Sequence, residues 1–189
     1  MGSNPASGYG VGDTDPVYYV SWYDAVDFCS ALLDLEGLDR CYTVNGTDVT
    51  CDFTKNGYRL LTEAEWEFAV RCGNASNGYT YSGSDTIGDV AWYTDNSGGE
   101  THPVCTKDAN DLGLYDMSGN LWEWCWDWYD ADYYDVSPAS DPTWSSTGYS
   151  RVLRGGSWSS NSMRCRSADR AYGTPSYNHN TVGFRVARR

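Results

Sequence analysis

Arg154-Gly155-Gly156-Ser157-Trp158, Cys165-Arg166-Ser167 and Gly183-Phe184-Arg185 punctuate the last 36 residues, and the stretch between them decides how the chain is read. Residues 158–181 are polar, dotted with Trp, Tyr and His, and almost free of aliphatic side chains. Apolar residues recur there neither at alternate positions nor at three- and four-residue spacing, so neither a core strand nor an amphipathic helix is expected. The stretch reads as a long irregular segment pinned at both ends by glycine and arginine. Binding and chemistry commonly sit on such elements.

Working upstream, a second patterned block is Gly113-Leu114-Tyr115-Asp116-Met117-Ser118-Gly119-Asn120-Leu121-Trp122-Glu123-Trp124, and a third is Arg59-Leu60-Leu61-Thr62-Glu63-Ala64-Glu65-Trp66-Glu67. In the third, Thr62-x-x-Glu65 is a capping box that predicts a helix over 63–72, with Trp66, Ala69 and Val70 on one face and Gly73 as its stop. Three glutamates in its first turn are read as complementing the helix dipole, not as catalysts. Ser21-x-x-Asp24 opens an earlier helix over 22–35, with Ala25, Phe28, Cys29 and Leu32 as its buried face and Gly37 as its end. Residues 41–44 and 48–51 flank Asn45-Gly46-Thr47, which predicts a hairpin with a three-residue loop. That register sets Cys41 directly opposite Cys51, close enough for a disulfide if the protein matures in an oxidising compartment. Closing so short a loop would add roughly 2–3 kcal/mol. Residues 74–110 read as loops. Residues 129–149 form an acidic, aromatic loop in which Pro138 and Pro142 exclude regular structure. Val152-Leu153 and the run from Val182 to Ala187 read as closing strands.

With 20 Gly, 16 Tyr and 9 Trp among 189 residues, the core is expected to be aromatic and hydrogen-bonded, in a single domain. Charge is distributed unevenly. Residues 151–189 hold eight Arg and only Asp169, net +7, so the remaining residues carry −20 of the total −13. A basic tail can mark nucleic-acid binding, but the acidic body would repel phosphate. The arginines are therefore read as forked donors folding back onto carboxylates and carbonyls of the body, with no nucleic-acid partner. No apolar run is long enough to span a bilayer. Seven cysteines without a C-x-x-C pair argue against structural zinc and thioredoxin-like redox chemistry. His102 and His179 are isolated, and H-E-x-x-H, P-loop, G-x-S-x-G and G-x-G-x-x-G patterns are missing.

The three blocks, with the opening Met1-Gly2-Ser3-Asn4-Pro5, resemble the formylglycine-generating, or sulfatase-modifying factor, family over nearly the whole chain. The resemblance implies an α+β, C-type-lectin-like fold with two helices, a twisted antiparallel sheet and many loops. It also implies that the family's first strand is missing here, which would leave the closing strand from Val182 to Ala187 an open edge for pairing with another chain or segment. Catalytic members oxidise a substrate cysteine to formylglycine using copper(I) on two thiolates, three and eight residues beyond the Ser of Gly-Gly-Ser. Those positions here are Ser160 and Cys165, beside Ser157 and Trp122, which match the family's active-site region. A hydroxyl is a hard, weakly acidic group and cannot replace a thiolate on soft copper(I). Copper and formylglycine generation are therefore not expected. The resemblance further implies a structural calcium held by the Asp116 and Glu123 side chains with the Gly119 and Leu121 carbonyls; the alternative is that Glu123 pairs with an arginine.

Between Trp158 and Thr181 the mixture of Ser, Asn, Asp, Tyr, His and Arg is that of a paratope. It also resembles the C-terminal variable regions of diversity-generating-retroelement proteins. The expected function is a non-catalytic ligand-binding module recognising a protein or other surface ligand. Trp158, Ser160, Asn161, Arg164, Asp169, Tyr172, Tyr177, Asn178 and His179 form its face, on a scaffold fixed by Arg166, Arg170 and Arg185. Competing readings are a formylglycine-generating oxidase with a rearranged metal site and a structural or regulatory domain of a larger protein. A cell-surface or extracellular location is favoured over a cytoplasmic one.

Overall fold

Two capping boxes set the two long helices of the structure, a computed structural model that describes residues 12–138, 142–143 and 147–188. The Met1 to Pro5 segment lies outside the described residues. At α1 (Trp22–Glu36) the Ser21 hydroxyl accepts the Asp24 N–H at 3.1 Å, and the Asp24 carboxylate accepts the Ser21 N–H at 2.8 Å. Gly37 ends the helix in the left-handed conformation. The buried face is rotated from the expected one. Trp22, Ala25, Val26, Cys29 and Leu33 point inward, while Phe28 is exposed and lies edge-on to Phe184.

β1 (Tyr42–Asn45) and β2 (Asp48–Cys51) form the expected hairpin with a different register. The loop has two residues, Gly46 and Thr47, because Asn45 pairs with Asp48. Shortening the loop by one residue moves every partner, so Tyr42 faces Cys51 and the Cys41 carbonyl accepts the Asp52 N–H at 2.8 Å. The Cys41–Cys51 disulfide is not formed, and both residues are free thiols.

β3 (Tyr58–Leu60) leads into α2 (Glu63–Val70), whose Thr62–Glu65 capping box closes as expected. The helix stops two residues early, at Arg71, and it buries Glu63 as completely as Trp66 and Val70. A single-turn α3 (Ile87–Val90) precedes β4 (Ala91–Trp92), which pairs in parallel with β5 (Ser118–Gly119). Next come β6 (Trp122–Trp128), a single-turn α4 (Tyr133–Val136), β7 (Arg151–Arg154), β8 (Arg170–Gly173), β9 (Val182–Phe184) and β10 (Val186–Arg188).

The largest sheet runs β8-β7-β6-β9. Its β6–β7 and β7–β8 ladders are antiparallel, but β9 lies parallel to β6, a correction to the all-antiparallel expectation. The long excursion through β7, β8 and residues 174–181 lets the chain return in the direction of β6, as a parallel pair requires. The run from Val182 to Ala187 breaks at Arg185: β9 joins β6, and β10 joins β3. Among the described residues each is the outer strand of its sheet. The α+β class is as expected, and the core is aromatic. Trp22, Tyr42, Trp124 and Trp126 pack with Leu60, Leu153 and Val182. Indole N–H groups tie the layers together, Trp22 to the Cys125 carbonyl and Trp124 to the Val20 carbonyl, each at 3.0 Å. No helix among the described residues is long and apolar enough to cross a membrane.

Candidate functional site

β7 delivers Arg154 to the threshold of the Gly-Gly-Ser turn, where its side chain is fully buried. One terminal nitrogen donates to Glu67 Oε2 at 2.6 Å and to the Ser167 carbonyl at 3.0 Å; the other donates to the Asp169 carbonyl. Its Nε stands 3.6 Å from Glu63 Oε1, an ion pair without a hydrogen bond. Arg170 on β8 forks onto Glu63 at 2.7 and 2.9 Å. Arg185, between β9 and β10, forks onto Glu123 at 2.6 and 2.5 Å. Glu63, which is buried, and the part-exposed Glu67 are thus counter-ions as well as dipole partners, and three arginines fold back as the sequence predicts. Arg166 does not. It is exposed, its Nε donates to the Met163 carbonyl, and it has no carboxylate partner among the described residues.

Beyond Arg154 the chain turns at Gly156, with φ +78°, where a Cβ would sit 2.7 Å from Cys165 Sγ and 2.9 Å from the Arg164 carbonyl. Glycine there allows Cys165 to pack directly behind the turn. The buried Ser157 donates its N–H to Ser160 Oγ at 3.0 Å, and its own Oγ lies 3.1 Å from that hydroxyl and 3.3 Å from Ser159 Oγ. Trp122 is half-buried, its backbone N–H donating to the Thr181 carbonyl. The two positions implied for copper therefore hold a hydroxyl spent inside a turn and a sealed thiol. Burial, then the Asp169 charge, pushes the Cys165 thiol up to about 12. A thiol held protonated is a poor nucleophile at neutral pH.

Asp116, Leu121 and Glu123 gather at one cavity of about 430 Å³, together with Asn120 and Arg185. Gly119 lies just outside its lining, with its N–H on the Gly155 carbonyl. Desolvation pushes the Asp116 carboxyl above its ordinary range, and the Glu123 charge adds to the rise against the Cys105 N–H and Arg185, which lower it. A half-buried carboxylate whose charge is penalised by desolvation is the kind of oxygen donor a hard cation takes. Glu123 fits less well. Its oxygens already accept the Arg185 fork and the Trp66 indole N–H at 2.7 Å, the arginine pairing that the sequence leaves open.

Of the nine residues expected to form a binding face, six are exposed: Asn161, Arg164, Tyr172, Tyr177, Asn178 and His179. The Tyr177 and His179 rings lie nearly parallel at 6.0 Å. Tyr172 stands on β8, 60% exposed, its ring 4.5 Å from that of Tyr129. Three belong more to the scaffold. The half-buried Trp158 donates its indole N–H to the Asn180 carbonyl and packs beside Tyr18 and Leu121. Ser160 serves the turn, and the largely buried Asp169 pairs with Arg164 at 3.4 Å. The segment is also more regular than its sequence suggests. It contains a 3₁₀ turn at Ser162–Cys165, capped by Asn161, and the edge strand β8. An edge strand is held by one ladder, so β8 forms without an alternating apolar pattern.

Sequence reasoning missed the aromatic residues bordering this face. The Arg170 guanidinium lies 4.9 Å from both the Tyr129 and Tyr134 rings, and Phe68 is 57% exposed on α2. The signal for Phe68 was present: it stands roughly 200° around the helix from the buried Trp66.

All 189 residues match the sulfatase-modifying factor enzyme 1-like domain family. The formylglycine-generating enzyme of Streptomyces coelicolor is 38% identical over 76% of this chain and 51% of that protein. Chaperone protein LppX of Paenibacillus barcinonensis is 38% identical over 84% of this chain and 63% of its own length. The chain thus spans between about half and two-thirds of these relatives. Among solved structures, Treponema denticola variable protein 1 superposes with a TM-score of 0.88 at 36% identity, covering 100% of this chain and 75% of that one.

Proposed function

We propose a ligand-binding function, not an oxidase function, for this chain, which belongs to the sulfatase-modifying factor enzyme 1-like domain family. One contrast within residues 158–181 carries the reading. The position where a catalytic member needs a reactive thiolate holds Ser160, and Cys165 is sealed behind the Gly156 turn, while Tyr172, Tyr177, Asn178 and His179 stand open to solvent. Exposed rings and amides on a rigid frame suit recognition, because little side-chain entropy is lost when they are covered. The likeness to a variable protein supports a segment whose side chains are diversified while its frame is kept. An adjacent reverse transcriptase and near-repeat in the gene neighbourhood would agree with that; an adjacent sulfatase would favour the oxidase. A structural calcium held by Asp116 and the Leu121 carbonyl, with Glu123 shared between the ion and Arg185, belongs to the same proposal.

The decisive experiment has two arms. Incubated with copper(I), oxygen and a cysteine-containing peptide, the protein should form no formylglycine by mass spectrometry; turnover would establish the oxidase instead. Panned against a random displayed-peptide library, the wild-type chain should enrich binders that the Tyr172→Ala/Tyr177→Ala variant fails to retain. Equal retention by both would remove the binding face.

A further inference from the structure

We propose that the recognition face extends beyond residues 158–181 onto α2 and α4, and that the groove there receives an acidic segment of a partner protein. A bulky apolar side chain of that segment rests on Phe68 and Tyr134, and a carboxylate beside it pairs with Arg71. The proposal rests on the binding-module reading and specifies the partner's chemistry.

The groove encloses about 480 Å³ and is lined by Ala64, Glu67, Phe68, Arg71, Tyr134 and Arg170 among others. Its two rings are accessible, Phe68 at 57% and Tyr134 at 43% exposure. Phe68 is also held in place, because its ring occupies the space where a Cβ on Gly73 would come within 2.9 Å. A ring that is exposed yet positioned loses little freedom on binding, which is what an anchoring surface requires.

The charges of the lining are mostly spent. Arg170 gives its fork to Glu63, and Glu67 accepts from both Arg71 and Arg154. Arg71 is different: it commits only Nε, to Glu67 Oε1 at 2.8 Å, and neither terminal nitrogen has an acceptor among the described residues. The lining therefore offers one available guanidinium edge beside two rings. A carboxylate matches that edge in a forked geometry.

The groove is continuous with the exposed part of the C-terminal segment. Tyr129 contacts Arg170 on one side and Tyr172 on the other, so aromatic surface runs from Phe68 through Tyr134 and Tyr129 to Tyr172. Counted with its counter-ions, the network behind the groove holds Arg71, Arg154 and Arg170 against Glu63 and Glu67, one positive charge in excess, and Arg166 lies exposed without a counter-ion among the described residues. Charge complementarity at this end selects an acidic partner over a basic one.

The test uses the full chain and fluorescence anisotropy with two short labelled peptides, one alternating Glu with Phe and one alternating Lys with Phe. The Glu–Phe peptide should bind at least about tenfold more tightly, and Phe68→Ser and Arg71→Gln should each weaken it by roughly tenfold. Circular dichroism should show Phe68→Ser folded with a Tm near wild type. Equal binding of the two peptides, tighter binding of the Lys–Phe peptide, or no effect of either variant would overturn the proposal. So would competition by free acetate as effective as the peptide, which would make a lone carboxylate the ligand. If library-selected peptides depend on Tyr172 and Tyr177 but not on Phe68 or Arg71, the groove falls while the binding module stands.

Discussion

Arg154 and Arg164 stand ten residues apart in one glycine- and serine-rich stretch, and they do opposite work. Arg154 is fully buried among two carboxylates and two carbonyls, while Arg164 is more than half exposed with a single partner at 3.4 Å. Arg170 and Arg185 behave like the first, and Arg166 like the second. Residue type does not separate the two sets. A carboxylate waiting on a fixed element does: α2 presents Glu63 and Glu67, and β6 presents Glu123. Where α2 or β6 supplies the counter-ion, as for Arg154, Arg170 and Arg185, the guanidinium becomes frame. Arg164 and Arg166, which α2 and β6 do not reach, are left for a ligand.

Breaking the frame should have the largest effect. Arg154→Met removes both terminal donors, leaves the Ser167 and Asp169 carbonyls without them, and strips charge from beside the buried Glu63. Removing one partner of a buried charge network costs about 3–5 kcal/mol. Urea denaturation should show a midpoint lowered accordingly, with Arg154→Lys in between because it keeps charge without the fork. A loss below about 1 kcal/mol would mean that the division between frame and face is wrong.

The same division explains how much was legible beforehand. Capping boxes are local, so both helix starts were readable at Ser21 and Thr62. Aromatic richness announced the core, and the charge imbalance announced arginine forks. The hairpin register depended on whether Asn45 belongs to the loop or the strand, a difference of one residue that puts Tyr42 in place of Cys41 opposite Cys51. The orientation of β9 depended on where a long connection returns, which no local pattern records. At the site, exposure of the tyrosines followed from the polar run, but the commitment of Trp158, Ser160 and Asp169 to the scaffold is made by partners up to 22 residues away in sequence. The wall of Phe68 and Tyr134 comes from elements far outside the segment, so its place beside the face is visible only in three dimensions.

A second prediction probes the border between frame and cavity. The Asp116 carboxyl is held above its ordinary value of 3.8, chiefly by burial. Its contribution to stability is therefore complete below that value and is lost as pH rises through the folded one. In calcium-free buffer, Asp116→Asn should flatten this loss and raise the Tm at neutral pH. Calcium at a hundred times its Kd should stabilise the wild type by about 2.7 kcal/mol and the variant hardly at all. If calcium shifts neither protein, or both equally, Arg185 is the site's sufficient counter-charge and the ion has no place there.

The smallest effect should come from the face itself. Arg164→Ala removes an exposed side chain whose pairing with Asp169 is loose, and exposed ion pairs contribute about 0.2–1 kcal/mol. Asn161 would still cap the 3₁₀ turn through the backbone N–H of residue 164, which the substitution retains. Denaturation of this variant should therefore lie within about 1 kcal/mol of wild type, with an unchanged denaturant slope. Salt should erase most of even that difference, because a solvent-exposed pair is screened where the Arg154 network is not. A loss above about 2 kcal/mol, or one that persists in high salt, would place Arg164 in the frame beside Arg154 and take the exposed segment's independence with it.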